Sequence, residues 1–235
     1  MITTVSSTSY NSYLTCPYKW QLQYEYKLLA PEVVAFEIGK AFHNGVEWFH
    51  NGMSLLDIIG KLKDIMLKEK TLENINNFSL VRQLLELYVK YSLPLKTQAT
   101  EYQFRIQLKK CPLFLTGKID RVIIGGINEY KTSSFDYTQK DLDNIQTKIY
   151  SFAYHNKFGQ MPESTYWIGN KKKLKKKDYK PQIITFQHDI AVLDEVEDKC
   201  VEYYNNIKQK KFDANRGKHC LWCQYRDSCK YKYAK

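Results

Sequence analysis

The stretch Gly117-Lys118-Ile119-Asp120-Arg121-Val122-Ile123-Ile124-Gly125-Gly126-Ile127-Asn128-Glu129-Tyr130-Lys131 constrains this chain more than any other. Apolar residues flank a Gly-Gly pair on both sides, which predicts two buried antiparallel strands joined by a tight turn. That turn brings Asp120 and Glu129 together. Side chains alternate along a strand, so Glu129 and Lys131 share one face and Tyr130 takes the other. Two carboxylates so placed suit a divalent cation, with the ammonium of Lys131 in reach of a bound water or a phosphate under attack. The plainer alternative is a solvated hairpin rim carrying three charges.

The ends of the chain hold a second constellation. Cys16 is followed by Pro17 and an aromatic-basic helix, and Cys220-Leu221-Trp222-Cys223 is followed by Cys229. Four soft thiolates are enough to close a tetrahedral metal or an iron–sulfur site. Such a site would staple terminus to terminus, removing unfolded-chain entropy on the order of several kcal/mol in the polymer treatment. A zinc knuckle with His219 as a ligand and a set of unrelated buried thiols are the alternatives, and the spacing does not separate zinc from iron. Cys111 and Cys200 lie outside both motifs and read as small hydrophobes.

Charge narrows the partner. The chain has 235 residues, with 36 Lys and Arg against 25 Asp and Glu, for a formal net charge of +11. A phosphate backbone is the natural complement of that surplus. No long apolar run, N-terminal signal or basic amphipathic anchor points to a membrane, so a cytoplasmic nucleic-acid protein is expected, its cysteines reduced and some of them on metal. There is no Gly-x-x-x-x-Gly-Lys pattern, which excludes a helicase motor from this stretch.

Along the chain, residues 9–26 read as helical with a break at Cys16-Pro17, and residues 34–51 as a clearer helix with Val34, Ile38, Phe42, Val46 and Phe49 in one stripe. His43 lies beside that stripe. It is either a half-buried, capped histidine or one member of a local face with Glu47 and His50. Helices are expected over 55–70 and 78–92, forming an insertion over 52–97, and strands over 99–108 and 112–124. Glu101 opens the first of these strands, where a solvent-exposed side chain is the ordinary expectation. Residues 138–158 read as one long helix, with Asp141 and Asp143 in its early turns and Gln146 and Tyr150 four apart on one face. Two strands, 163–169 and 182–187, flank a run with six lysines in the seven positions 171–177, read as a flexible loop that is either a solubilising tip or a source of phosphate attraction. A last helix over 190–210 leads into the cysteine triplet.

These residues resemble the PD-(D/E)XK nuclease superfamily, with Ile119 where the name-giving proline would stand. The order of motifs is similar to that of the RecB-like branch carrying a four-cysteine iron–sulfur cluster, the CRISPR-associated exonucleases and AddB-type nuclease domains. The matching residues are those from Ser9 to Pro17, Gly39 to His43, Gly117 to Arg121, Glu129 to Lys131, Gln146 to Tyr150, and the final cysteines. They follow in the family's order and span almost the whole chain. The tract 47–97 and the lysine tip carry no match.

The resemblance implies an α/β fold, a restriction-endonuclease-like core of a small mixed sheet flanked by helices. It also implies one nuclease unit over 1–235, with a helical N-terminal portion and residues 1–27 and 211–235 clasped by a 4Fe-4S cluster on Cys16, Cys220, Cys223 and Cys229, structural zinc being the alternative. It makes His43, Asp120, Glu129 and the carbonyl of Tyr130 ligands of Mg²⁺ or Mn²⁺. Asp120, Glu129, Lys131, Gln146 and Tyr150 become the catalytic set, and Glu101 a residue that orders the site. The expected activity is metal-dependent DNA hydrolysis, an exonuclease on single-stranded or frayed ends. The rival is a DNA-end binding adaptor working with recombination or CRISPR adaptation proteins.

Overall fold

A computed structural model of the chain describes residues 2–29, 34–69, 71–92 and 94–231. The side chains of residues 34–36, including Val34 of the apolar stripe, lie outside the described part. So do Lys70 at the expected end of a helix and positions 1 and 232–235 of the clasp.

A six-stranded mixed sheet organises the molecule: β1 (Thr4–Val5), β2 (Thr97–Gln107), β3 (Phe114–Ile123), β4 (Gly126–Ser133), β5 (Glu163–Asn170) and β6 (Gln182–Gln187). Helices flank it, and the architecture is restriction-endonuclease-like, as expected. β2 pairs antiparallel with almost the full length of β3. On the other edge of β3 the partner changes along the strand. β1 lies parallel to its start at Phe114 and Leu115, and β4 lies antiparallel to its end. β4 then pairs in parallel with β5, and β5 antiparallel with β6.

The hairpin is shorter than the apolar pattern predicts. Only Arg121↔Asn128, Val122↔Ile127 and Ile123↔Gly126 pair, after which β3 and β4 part. Its two-residue turn is Ile124-Gly125, with Gly125 at φ +80°, a conformation glycine takes without Cβ strain. Gly126 is already in the strand. A Cβ there would meet the carbonyl oxygen of Glu163 at 2.4 Å, so glycine is what allows β5 to pack beside the turn.

Two faces of the sheet are covered differently. Tyr130 and Trp167, paired across β4 and β5, face α3 (Val34–His50), α4 (Leu55–Met66) and α5 (Leu72–Tyr91), packing with Phe42, Val46, Leu84 and Tyr88. Thr71 caps α5, accepting from the amide of Asn74, so this helix begins nearly two turns earlier than its apolar periodicity shows. On the other face, Ile127 and the β3 core pack with α7 (Ile145–Phe158) and α8 (Val192–Lys208).

Two expectations need correction, and one element is added. The long helix over 138–158 is broken into α6 (Gln139–Leu142) and α7, because the side chain of Asn144 accepts from the amides of Gln146 and Thr147 and starts a new helix. The lysine run is not a free loop. Main-chain bonds from Lys173 to Asn170, Lys176 to Lys173 and Tyr179 to Lys176 fold it into turns, Lys173 pairs with Asp136, and Leu174 packs into the α3–α5 core. The short strand β1 is announced by no sequence pattern. No described helix is long and apolar enough to cross a membrane.

The two ends of the chain meet. α1 (Ser7–Thr15) carries a Ser6/Ser9 capping box and stops at Cys16, which caps α2 (Pro17–Trp20), its sulfur accepting the amide of Lys19 at 3.5 Å. Trp20 stacks on Phe212, the Tyr13 hydroxyl donates to the Lys211 carbonyl at 2.7 Å, and Tyr225 donates to the Leu28 carbonyl at 3.1 Å.

Candidate active site and thiolate clasp

The parting of β3 and β4 creates the site. Where the ladder ends, the backbone groups it would have paired bond to side chains instead: the Asp120 amide donates to Glu129 Oε1 at 3.0 Å and the Tyr130 amide to Asp120 Oδ2 at 3.0 Å. The two carboxylates are thereby fixed at the fork. From α3, His43 places Nδ1 3.1 Å from Asp120 Oδ1. His43 is therefore neither a carbonyl-capped histidine nor part of a local helix face. Its partner in that competing face, His50, points elsewhere, with Nε2 2.5 Å from the Tyr88 hydroxyl.

Glu101 joins this group. Thr100 pairs with Arg121 and Tyr102 with Ile119, so Glu101 sits opposite Asp120 in the β2–β3 ribbon. It adopts φ +49°, a left-handed conformation costing a non-glycine residue roughly 1–3 kcal/mol. Single ligand atoms of His43, Glu101 and Asp120 lie within 4.8 Å of one another, the one such set of three or more among the described residues. Two carboxylates and an imidazole at that spacing can hold a divalent cation. Glu129 lies outside this trio, with Oε1 occupied by the Asp120 amide.

On the face shared with Glu129, the Lys131 ammonium donates to Gln146 Oε1 at 3.2 Å, and Gln146 Nε2 donates to the Tyr150 hydroxyl at 2.9 Å. The helix pair and the strand lysine thus form one relay. Arg121 points the other way. It is buried, with Nε donating to Thr97 Oγ1 at 2.9 Å and the guanidinium reaching the Leu95 carbonyl, and it ties the entry of β2 to β3.

Burial and mutual charge split the carboxylates. Burial works to raise Asp120, but the hydrogen bond and charge of His43, the Tyr130 amide and Lys131 prevail and hold it below the usual carboxylate range. Burial and the charge of Asp120 push Glu129 well above that range. For His43, burial favours the neutral ring, yet the bond to Asp120 outweighs it and the pKa is raised. Burial, then the charges of Glu129 and Asp120, raise Tyr150, which stays a neutral donor.

Cys16, Cys220, Cys223 and Cys229 line a single recess with Lys19, Arg216 and Arg226. No three of these sulfurs lie within 4.8 Å of one another. His219 donates Nε2–H to the Asn215 carbonyl at 2.9 Å.

The fold and the forked carboxylate site define a nuclease class whose members work with divalent metals. The chain belongs to the PD-(D/E)XK nuclease superfamily, whose family model matches residues 4–230. Its fold is similar to that of a candidate exonuclease from Eubacterium rectale, at 14% identity and a TM-score of 0.62, covering 98% of this chain and 91% of the other. A second solved chain, SSO0001, covers 100% of this chain and 89% of its own at 13% identity and a TM-score of 0.48, too distant to bear on the fold. No curated protein matches the sequence.

Proposed function

We propose that this nuclease hydrolyses DNA phosphodiesters with Mg²⁺ or Mn²⁺, acting as an exonuclease on single-stranded or frayed ends. The observation that carries the reading is the fork itself, where a buried Glu129 and a part-buried Asp120 are reciprocally bonded to main chain and joined by His43 and Glu101. A buried ionic cluster costs folding energy that a purely structural role does not require. His43, Asp120 and Glu101 would hold the cation, with Glu129 and the Tyr130 carbonyl completing its shell. Bound there, a divalent cation supplies Lewis-acid activation and neutralises charge at phosphorus. Lys131, oriented by Gln146 and Tyr150, offsets negative charge that develops on the phosphate and steers the attacking water. The closed hairpin turn and Arg121 keep these groups at fixed spacing.

Preference for unpaired strands is supported by Phe135, 70% exposed just beyond the strand that carries Lys131, with the Lys172 ammonium 5.0 Å from its ring. An exposed ring beside a cation can stack on a base and meet its phosphate. The Eubacterium rectale neighbour's designation as an exonuclease agrees with action from ends.

The cluster reading of the clasp is supported by the four-thiolate recess and its cationic rim. We assign it to a 4Fe-4S cluster, and on that assignment the chain falls in the RecB-like branch.

Linear and circular single-stranded DNA incubated with Mn²⁺ test the mode of action. Degradation of the linear form alone is expected. Nicking of circles would make the enzyme an endonuclease, and tight binding of ends without hydrolysis would restore the adaptor reading.

A further inference from the structure

Lys118 stands two residues before Asp120 on the same face of β3, and its ammonium forms an ion pair with Glu101. In the β2–β3 register Lys118 lies opposite Gln103, which makes Glu101 its diagonal neighbour. The pair is uneven: the Lys118 side chain is 50% exposed and that of Glu101 20%. Asp120 and Glu47 add negative charge around the same ammonium. Glu101 thus has two competing uses. Its carboxylate neutralises Lys118, and it also offers an oxygen to the trio formed with His43 and Asp120.

A divalent cation held by that trio gives Glu101 a stronger counter-charge than an ammonium does, and it repels the ammonium beside it. Lys118 is then displaced toward solvent, at the rim of the cleft where a phosphate must arrive. Lys131 differs, because Gln146 holds it within the cleft. We propose that Lys118 is a metal-released phosphate contact: counter-ion to Glu101 in the metal-free protein, and ligand of a substrate phosphate once the cation is bound. The proposal rests on the metal-nuclease reading and adds a coupling between the two ligands that reading does not require. Metal binding unmasks one cation for nucleic acid, so nucleic acid and metal favour each other.

The test compares wild-type, Lys118→Gln and Lys118→Arg proteins without turnover. Binding of a labelled single-stranded oligonucleotide is titrated against salt in Ca²⁺ and in chelator, and Mn²⁺ binding without DNA is measured by calorimetry. Lys118→Gln should bind Mn²⁺ several-fold more tightly, since the competing ammonium is gone. In Ca²⁺ it should bind DNA several-fold more weakly, with a salt slope lower by roughly 0.7, the value for one phosphate left unneutralised on a single strand. In chelator its slope should equal that of wild type, and Lys118→Arg should restore the slope in Ca²⁺. Unchanged slopes in Ca²⁺, or the same deficit with and without metal, overturn the release while leaving the metal site in place. Failure of all three proteins to bind Mn²⁺ overturns the release together with the reading beneath it.

Discussion

Asp120 and Glu129 hold each other through the main chain: the Asp120 amide donates to the Glu129 carboxylate, and the amide of Tyr130, next to Glu129, donates to the Asp120 carboxylate. Each carboxylate replaces a ladder bond that the parting strands cannot make. The geometry of the carboxylate pair is therefore built into the end of the hairpin.

Lys131→Ala should lower turnover by about 100-fold while leaving Mn²⁺ affinity nearly unchanged, because in the proposed mechanism the ammonium, bonded to Gln146, acts on the developing charge. Gln146→Ala, which removes only the orienting partner, should have a smaller effect. Steady-state kinetics with parallel calorimetry separate the two, and a Lys131→Ala protein with normal turnover would remove lysine from the mechanism.

Burial lowers the pKa of His50 to about 4. Its unfolded value is about 6.5, so between these values the unfolded chain binds more protons and stability rises with pH. The benefit of burying the neutral ring is complete above about pH 6.5 and is lost as pH falls toward about 4. His50→Gln should flatten that part of the stability curve. Urea titrations at about pH 5 and about pH 7 that show the same pH dependence in both proteins would contradict the assignment.

The hairpin that carries Asp120, Glu129 and Lys131 is legible in the sequence because its signals are local: glycines at the turn, period-two alternation, and the three charged residues at fixed offsets. Gln146 and Tyr150 followed from helical spacing. By local pattern Glu101 reads only as a strand-opening glutamate, and the family resemblance alone implies a place near the site. Its place opposite Asp120 depends on the register of a long ribbon and on a left-handed backbone at a non-glycine residue, neither of which has a local signature. The helix break at Asn144 did leave a trace, an Asn three residues before a Thr, overridden by apolar periodicity that runs through it. The lysine run reads as a loop from charge repulsion alone. What folds it back is Leu174 in the distant α3–α5 core and Asp136 across the sheet end.

Replacing Lys171, Lys172, Lys175, Lys176 and Lys177 with serine should weaken DNA binding and flatten its salt dependence by about 0.7 for each phosphate no longer neutralised. Lys173 is left in place because it pairs with Asp136. An unchanged slope would return the run to a solubilising role.

Anaerobically purified protein should be brown and contain iron and acid-labile sulfide. Cys16→Ser should lose both and melt at lower temperature, because Cys16 is the one thiolate of the clasp that comes from the first helices. Stoichiometric zinc without sulfide would change the cofactor and keep the staple. Full metal content with unchanged melting in Cys16→Ser would remove both.

The most direct test of the central claim is digestion of end-labelled single-stranded and duplex DNA by wild-type and Asp120→Ala proteins in Mn²⁺, Mg²⁺ and chelator. Wild type should release labelled products with either metal and none in chelator, and Asp120→Ala should remain folded yet be slower by about 100-fold or more. Cleavage that persists in chelator, or a folded Asp120→Ala protein that cuts as fast as wild type, would contradict a metal-dependent active site at the fork of β3 and β4.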